Sequence, residues 1–414
     1  RGVSVNIILI GNGFDLAHGL PTTYTDFLTF LKRINTPPVK PTNFNPDLEL
    51  LINDPENLDI IEKMRKLFLN NVWYNYFREK TITNHNWCDF EAEIGYVVKQ
   101  LETIKNYLDE YRFLRLTNID SLRINTTFLI ISIIEYCQKH SFQPNLREIK
   151  ILDNNRCWFN NKQKLIDLTI GINESNFNFD LQILQSGPLD IAFENLITFI
   201  LEQLEDFSKS FELYLSKFVN KLSYPKIGFI NNLLSKHDNK LLTFNYTNTP
   251  SRYNFPIIGD NICFIHGYAC WNENDNLVLG IDEKNTTIDP MFTPFRKYFQ
   301  RASKECNKNF RKWINDIKLR FRTDSAYYNP NLKHNLYIIG HSLTLSDRFI
   351  LNELITLQNM TTTIYYHSNN NKINLMKNLA AILGYQKFSD LIENDFIKFE
   401  EGSFNRKIQE IKLD

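Results

Sequence analysis

Four short stretches carry residues whose types and positions suit chemistry at the end of a strand. Gly11-Asn12-Gly13-Phe14-Asp15 follows the apolar run Val5–Ile10, and Asn245-Tyr246-Thr247 follows "KLLTF". His266-Gly267 follows "ICFI", and Gly340-His341-Ser342-Leu343, with Asp347 shortly after, follows "NLYII". In open α/β sheets ligands sit outside the carboxyl ends of the strands, so polar residues and glycines gathered there mark a site. Glycines directly after a buried strand let the backbone turn sharply and approach a bulky group, usually a phosphate at the next helix N-terminus. Asp15 is out of place there, because its charge would repel a phosphate. It has two readings, a catalytic carboxylate or the N-cap of the first helix. Asn245 can hold a hydroxyl or a water through its amide, or can be a simple turn residue. His266, with an ordinary pKa near ~6.5, can accept a proton close to neutral pH. His18 and His341 flank these motifs and are expected to support them without touching a ligand.

A sheet must hold these ends together. Continuous apolar runs bounded by polar turns predict buried parallel strands at 4–10, 240–246, 262–267, 277–282, 335–342, 362–367 and 396–400. Helical patterns near 25–32, 346–357 and 374–384 alternate with them, which predicts an α/β class with a Rossmann-like, mostly parallel sheet. Between the first strand and the second lies a different texture. Prolines in "TPPVKPTNFNP" (36–46) break any helix. Beyond them "LDIIEKMRKLFLNNVWYNYFRE" and "DFEAEIGYVVKQLETIKNYLDEY" each place apolar residues on one helical face. Phe193, Ile197, Ile200, Leu204, Phe207, Phe211, Tyr214 and Phe218 step by threes and fours, a near-heptad stripe that reads as core or a helix–helix seam. From 141 to 190 the pattern weakens into loop-rich sequence with short β-like pieces. The expected organisation is a discontinuous nucleotide-binding domain, 1–46 with 236–414, interrupted by a mainly helical insertion, 47–235. Trp87, Asp89, Glu91 and Glu93 sit near a helix start, where acids complement the dipole.

Composition narrows the function. Lys+Arg 47 balances Asp+Glu 47, so no overall field draws in nucleic acid or an anionic membrane. "FLIISIIEYC" (128–137) is too short to span a bilayer. Arg1-Gly2 leads directly into the first strand without a secretory signal, which predicts a cytoplasmic protein, and the missing initiator Met suggests a trimmed start. Six scattered cysteines without a CxxC pair read as free thiols in a reducing compartment, and no metal is expected. Leu16 stands where the dinucleotide fingerprint needs its third glycine, which disfavours a hydride-transferring dehydrogenase. P-loop, nucleophile-elbow and HExxH patterns are absent.

"GNGFDLAHGLPTTYTDFL", "LLTFNYTNT", "FIHG" and "GHSLTLSD" together resemble the AbiH family of bacterial abortive-infection proteins. The same skeleton resembles the sirtuin-like NAD-binding fold. Its opening Gly-Ala-Gly-x-Ser, followed by Gly-Ile-Pro, falls on Gly11 to Asp15 and then on Gly19, Leu20 and Pro21. The resemblance implies a catalytic role for Asn245 and His266. It also implies nucleotide contacts from Gly11, Asn12, Gly13 and Phe14, and an adenosine-side element on Gly340, Ser342, Leu343 and Asp347. Asp15 replaces the small hydroxyl residue of the sirtuin loop, and Thr247 replaces the acid after Asn-Tyr. The zinc-ribbon cysteines of protein deacylases are missing.

The implied activity is hydrolysis of NAD+ at the nicotinamide–ribose bond in anti-phage defence, latent until a phage-derived trigger arrives. Cleavage releases a neutral leaving group and develops an oxocarbenium ion, so the site must stabilise positive charge and control water. In this scheme the glycine loop offers N–H donors to the pyrophosphate, and Asp15 faces the ribose cation. Two other classes compete. One is a non-catalytic nucleotide-binding sensor whose helical insertion contacts a phage component or a second copy of the chain. The other is a metal-dependent nuclease using Asp15, which the balanced charge and the absence of a DxD-like cluster disfavour.

Overall fold

The computed structural model describes residues 4–35, 44–83, 89–115, 189–228, 230, 233, 239–255, 259–270, 276–281, 289–322, 328–329 and 331–402. The run 128–137, the loop-rich stretch 141–188, Trp87 and Cys88, Cys137 and Cys157 lie outside the described residues.

Six strands form one sheet: β1 Asn6–Ile10, β2 Asn239–Thr243, β3 Ile262–Phe264, β4 His334–Ile339, β5 Met360–Tyr366 and β6 Ile397–Glu401. Their order is β3-β2-β1-β4-β5-β6, and every neighbouring pair is parallel. β1 sits at the centre, with Ile8 level with Leu241 on one side and Tyr337 on the other. A strand enclosed by neighbours on both edges and layers on both faces has no room for polar side chains. Accordingly Ile7, Ile8, Leu9 and Ile10 are all fully buried. Ile7 and Leu9 join Leu242, Leu336, Ile338, Phe310, Trp313 and Leu351 in one core layer. Ile8 and Ile10 face the other way, with Phe14, Leu241, Tyr253 and Ile339.

Twelve α-helices lie among the described residues. The first six are α1 Asn12–Ala17, α2 Tyr24–Asn35, α3 Pro46–Ile52, α4 Leu58–Phe68, α5 Val72–Thr83 and α6 Phe90–Arg115. Then come α7 Leu189–Lys217, α8 Lys297–Ser303, α9 Lys308–Leu319, α10 Arg348–Ile355, α11 Asn369–Leu383 and α12 Tyr385–Glu393. The chain divides into two compact units, one of Arg1–Ile61, Phe211–Lys284 and Arg296–Asp414, the other of Glu62–Ser210 and Asn285–Phe295. In the first, α2 buries Phe27 and Phe30 against Phe211, Tyr214 and Phe218, with ring centroids 4.7–5.3 Å apart. In the second, Phe77 stacks on Phe90 at 4.3 Å and both meet Phe207, while the Trp73 indole donates to the Ile200 carbonyl. Much of the heptad stripe is therefore core within each unit.

Two local expectations are corrected. The single amphipathic stretch from Leu58 to Glu79 divides into α4 and α5, because the Asn71 side chain accepts from Trp73 N and Tyr74 N and so caps a new helix. The apolar run at 277–281 makes no strand; its backbone contacts are an isolated bridge between Ile281 and Arg296 and the Val278 N–H donated to the His266 carbonyl. Its residues are buried as a strand's would be, but side chains take up part of its backbone hydrogen bonding. The Gln300 amide brackets Leu279 through both N–H and carbonyl, and Tyr246 Oη donates to the Val278 carbonyl.

Candidate functional site

The strand order places a topological switch point at β1, because the chain leaves edge strand β3 and returns beside β1 as β4. The two glycine motifs meet there. Gly11 N donates to the Ile339 carbonyl at 3.0 Å and Gly13 N to the Gly340 carbonyl at 2.7 Å. A Cβ on Gly11 would lie 2.7 Å from His341 Cα, and one on Gly13 would lie 2.8 Å from the Gly340 oxygen. These glycines exist so that the turn after β1 can lie directly on the turn after β4. Their N–H groups are spent on that contact, so the expected donation from Gly11 and Gly13 to a pyrophosphate is corrected.

α1 begins at Asn12 with Gly11 in the N-cap position, and Asp15 lies inside the helix, so the capping role for Asp15 is corrected as well. Its carboxylate turns inward. Thr247 Oγ1 donates to Asp15 Oδ2 at 2.6 Å, and Thr249 Oγ1 lies 3.0 Å from Thr247 Oγ1. Burial pushes the carboxyl up to about 6, against the pull of neighbouring Thr247, Thr249 and Asn245. Asn245 is brought in because Thr243, the last residue of β2, accepts the Asn245 N–H through its hydroxyl and fixes the turn. Among the described residues, Asp15 Oδ1 and both polar atoms of the Asn245 side chain are buried and meet no hydrogen-bond partner. Orphaned buried polar atoms are rare in folded proteins and commonly mark a place for water or ligand.

His266, after β3, belongs to a second group centred on Asp347. Lys297 Nζ donates to Asp347 Oδ1 at 2.9 Å. His266 Nε2 lies 3.2 Å from the same oxygen, and His341 Nε2 lies 3.6 Å from Asp347 Oδ2. All four residues are buried. Burial and the Lys297 charge lower His266 to about 4, against the attraction of Asp347. His266 is therefore neutral at physiological pH and weakly basic, so the expectation of an ordinary imidazole titrating near neutrality is corrected. Burial pushes Asp347 up, but Lys297, His266 and His341 overcome it and hold the carboxyl well below the usual range.

The remaining expected residues divide by exposure. Phe14 packs beside Tyr253 in one core layer, and Leu343 lies in the other, its N–H donated to His341 Nδ1. Asn12 and Ser342 are exposed; Asn12 accepts from the Thr22 hydroxyl, and the Ser342 carbonyl from Asn378. His18 is held between the Phe14 carbonyl and the Tyr253 hydroxyl, as a supporting residue. Asp89 caps α6 by accepting from Glu91 N and Ala92 N.

Lys297 and Thr249 are the residues that the sequence reading missed. A signal existed for Lys297: a basic pair, Arg296-Lys297, opens α8, where the helix dipole disfavours positive charge and an opposing partner is needed. Thr249 sits in "NYTNTP", where a turn reading hides its hydroxyl. Among the described residues no three His, Cys, Asp or Glu side chains converge as a metal-ligand set, and no helix is long and apolar enough to cross a membrane.

The raised Asp15 pKa has a stability consequence with a definite sign. A carboxyl titrating above its unfolded value costs stability while ionised, and the cost disappears as pH falls towards the unfolded pKa. Asp15→Asn keeps an oxygen for Thr247 and removes the charge. It is expected to exceed the wild type by up to about 3 kcal/mol near pH 8 and to match it near pH 4. Urea unfolding at both pH values measures the difference, and an equal gap at both would refute a buried, raised carboxyl.

The fold is a doubly wound parallel sheet carrying two buried polar groups at its carboxyl edge. The family model described as "Bacteriophage abortive infection AbiH" matches residues 7–367, and the chain belongs to that family. Comparison with curated proteins finds no match, and comparison with solved structures finds none either.

Proposed function

We propose that this AbiH protein acts in the cytoplasm in phage defence by binding NAD+ at the carboxyl ends of β1, β2 and β4 and hydrolysing its nicotinamide–ribose bond. The observation that carries this reading is the pairing of Asp15 with Asn245 beside the switch point, each with buried polar atoms that meet no partner among the described residues. A carboxylate fixed beside the ribose stabilises an oxocarbenium-like transition state, and it does so strongly where water is excluded. With its pKa near 6, Asp15 is also the group best matched to take a proton from an attacking water at cytoplasmic pH. Asn245 orients that water or a ribose hydroxyl. His266, neutral and tied to Asp347, sets the wall of the site on the β3 side. Gly11, Gly13 and Gly340 bring the loops together, and exposed Asn12 and Ser342 form the rim that meets the nucleotide. The chemistry needs no metal.

Near-complete burial of Asp15, Asn245 and His266 suits an enzyme held latent until a phage component opens the site. The same burial favours a second reading, a nucleotide sensor that binds without turnover and signals through its helical unit. Incubating the full chain with NAD+, with and without phage lysate, and following nicotinamide release separates the two. Hydrolysis predicts release from wild type and a fall of roughly a hundredfold or more in Asn245→Ala, the usual loss when a transition-state contact is removed. Binding without release, with phage protection intact in Asn245→Ala, would establish the sensor instead.

A further inference from the structure

Asp15 is 1% exposed, yet the hydroxyls of Thr247, Thr249 and half-buried Tyr224 lead away from it in turn. Thr247 Oγ1 donates to Asp15 Oδ2 at 2.6 Å, and Thr249 Oγ1 follows at 3.0 Å, with either hydroxyl able to donate to the other. The Tyr224 phenol comes next, donating its O–H to the Thr249 backbone carbonyl at 3.4 Å. Tyr224 is only half-buried, and the guanidinium of exposed Arg252 lies 5.1 Å from its ring centroid. The His18 ring stands edge-to-face with Tyr224 at a centroid distance of 5.1 Å. His18 is itself fixed by Phe14 and Tyr253. The hydroxyls come from two separate segments, the turn after β2 and the loop before it, and Thr247 joins them to one carboxyl oxygen. Satisfying that oxygen needs only Thr247. Thr249 and Tyr224 extend the line outward.

We propose that Thr247, Thr249 and Tyr224 form a proton relay that exchanges the Asp15 proton with solvent without opening the site. In the inward direction the Tyr224 O–H swings from the Thr249 carbonyl to the Thr249 hydroxyl; Asp15 Oδ2 then takes the Thr247 hydroxyl proton, Thr247 takes that of Thr249, Thr249 that of Tyr224, and Tyr224 one from bulk water. The net result is one proton moved from solvent to carboxylate, after which each hydroxyl rotates back to its starting orientation. Hydroxyls suit this task because each both donates and accepts. The groups facing Asp15 from the packed elements are Thr247, Thr249 and Asn245 from the turn after β2 and Tyr224 from the preceding loop. The relay has value for any chemistry in which Asp15 must gain or lose a proton while the site stays closed, so it does not depend on NAD+ being the substrate.

The experiment is a rapid pH jump on the full chain without nucleotide, reading the protonated-carboxyl C=O stretch by infrared difference spectroscopy. Asp15→Asn identifies the band. Tyr224→Phe and Thr249→Val are expected to slow its appearance by roughly tenfold or more while leaving its final amplitude unchanged, since a broken relay forces exchange through rarer opening. Thr249→Ser, which keeps the hydroxyl, restores the wild-type rate. A merely structural role would alter the amplitude or the folded fraction but not the rate alone. Equal rates in wild type, Tyr224→Phe and Thr249→Val would overturn the proposal. Failure here leaves nicotinamide release untouched, and absence of nicotinamide release leaves this measurement standing.

Discussion

Gly340→Ala is expected to lose more than about 4 kcal/mol of stability, the range reserved for disruption of a packed backbone junction. Two costs add. Gly340 has φ +65°, a left-handed conformation that burdens an L-residue by ~1 kcal/mol or more. Its added Cβ would also press on the Phe14 nitrogen and the Gly13 carbonyl carbon, both backbone atoms without rotamers to yield. Relief requires separating the two turns, which breaks the hydrogen bonds from Gly13 to Gly340 and from Gly11 to Ile339. The same movement drags α1, and with it Asp15, away from Thr247. Gly19→Ala is the internal control. Gly19 has φ +75° but open space around its Cβ, so only the conformational cost remains, about 1 kcal/mol. Urea unfolding of the two variants beside wild type measures both values, and equal losses would show that the turns are not locked backbone to backbone.

That junction also marks how far sequence reasoning reaches. β1 and its glycine turn are legible because a run of isoleucine and leucine ending in Gly-x-Gly has few other folds open to it. The parallel sheet is legible for the same reason, and Asp15 stands out because its charge conflicts with the phosphate reading. The use of the glycines is not legible. Whether a tight turn approaches a ligand or another turn depends on Gly340, far away in the chain. The run at 277–281 shows a related limit: its apolarity predicts burial correctly, but the choice between strand and loop was made by Gln300, whose amide replaces a ladder partner. His266 reads as a free base by its position after β3, whereas its actual chemistry is set by burial and then by Lys297 and Asp347, contributed by other elements. Partnership across tens of residues leaves no local periodicity, and pKa values follow partnership.

Lys297→Met tests that last group most directly. Lys297 Nζ is the closest cation to Asp347, and the two side chains are almost wholly buried. Removing one partner of a buried pair leaves a desolvated charge behind, a loss of about 3–5 kcal/mol. The loss carries a pH signature. In wild type, His266 titrates at about 4, below its unfolded value, so its contribution falls as pH drops through that interval. Without Lys297 the repulsion that lowers His266 is gone and the attraction of Asp347 remains, so its pKa rises and an imidazolium can replace the lost ammonium. Burial still lowers His266, but charge opposes its protonation less strongly, so the variant loses less stability than wild type as pH falls from 8 to 5. The variant is therefore expected to trail wild type most near pH 8 and to recover part of the gap near pH 5, a trend measured by urea unfolding at both values. Lys297→Met combined with Asp347→Asn removes both charges and is expected to be more stable than Lys297→Met alone by roughly 2 kcal/mol near pH 8. A gap for the single variant that stays below about 1 kcal/mol near pH 8, or that is the same at both pH values, would mean that Lys297 does not neutralise Asp347. His266 would then have to owe its low basicity to burial and to the Arg301 charge.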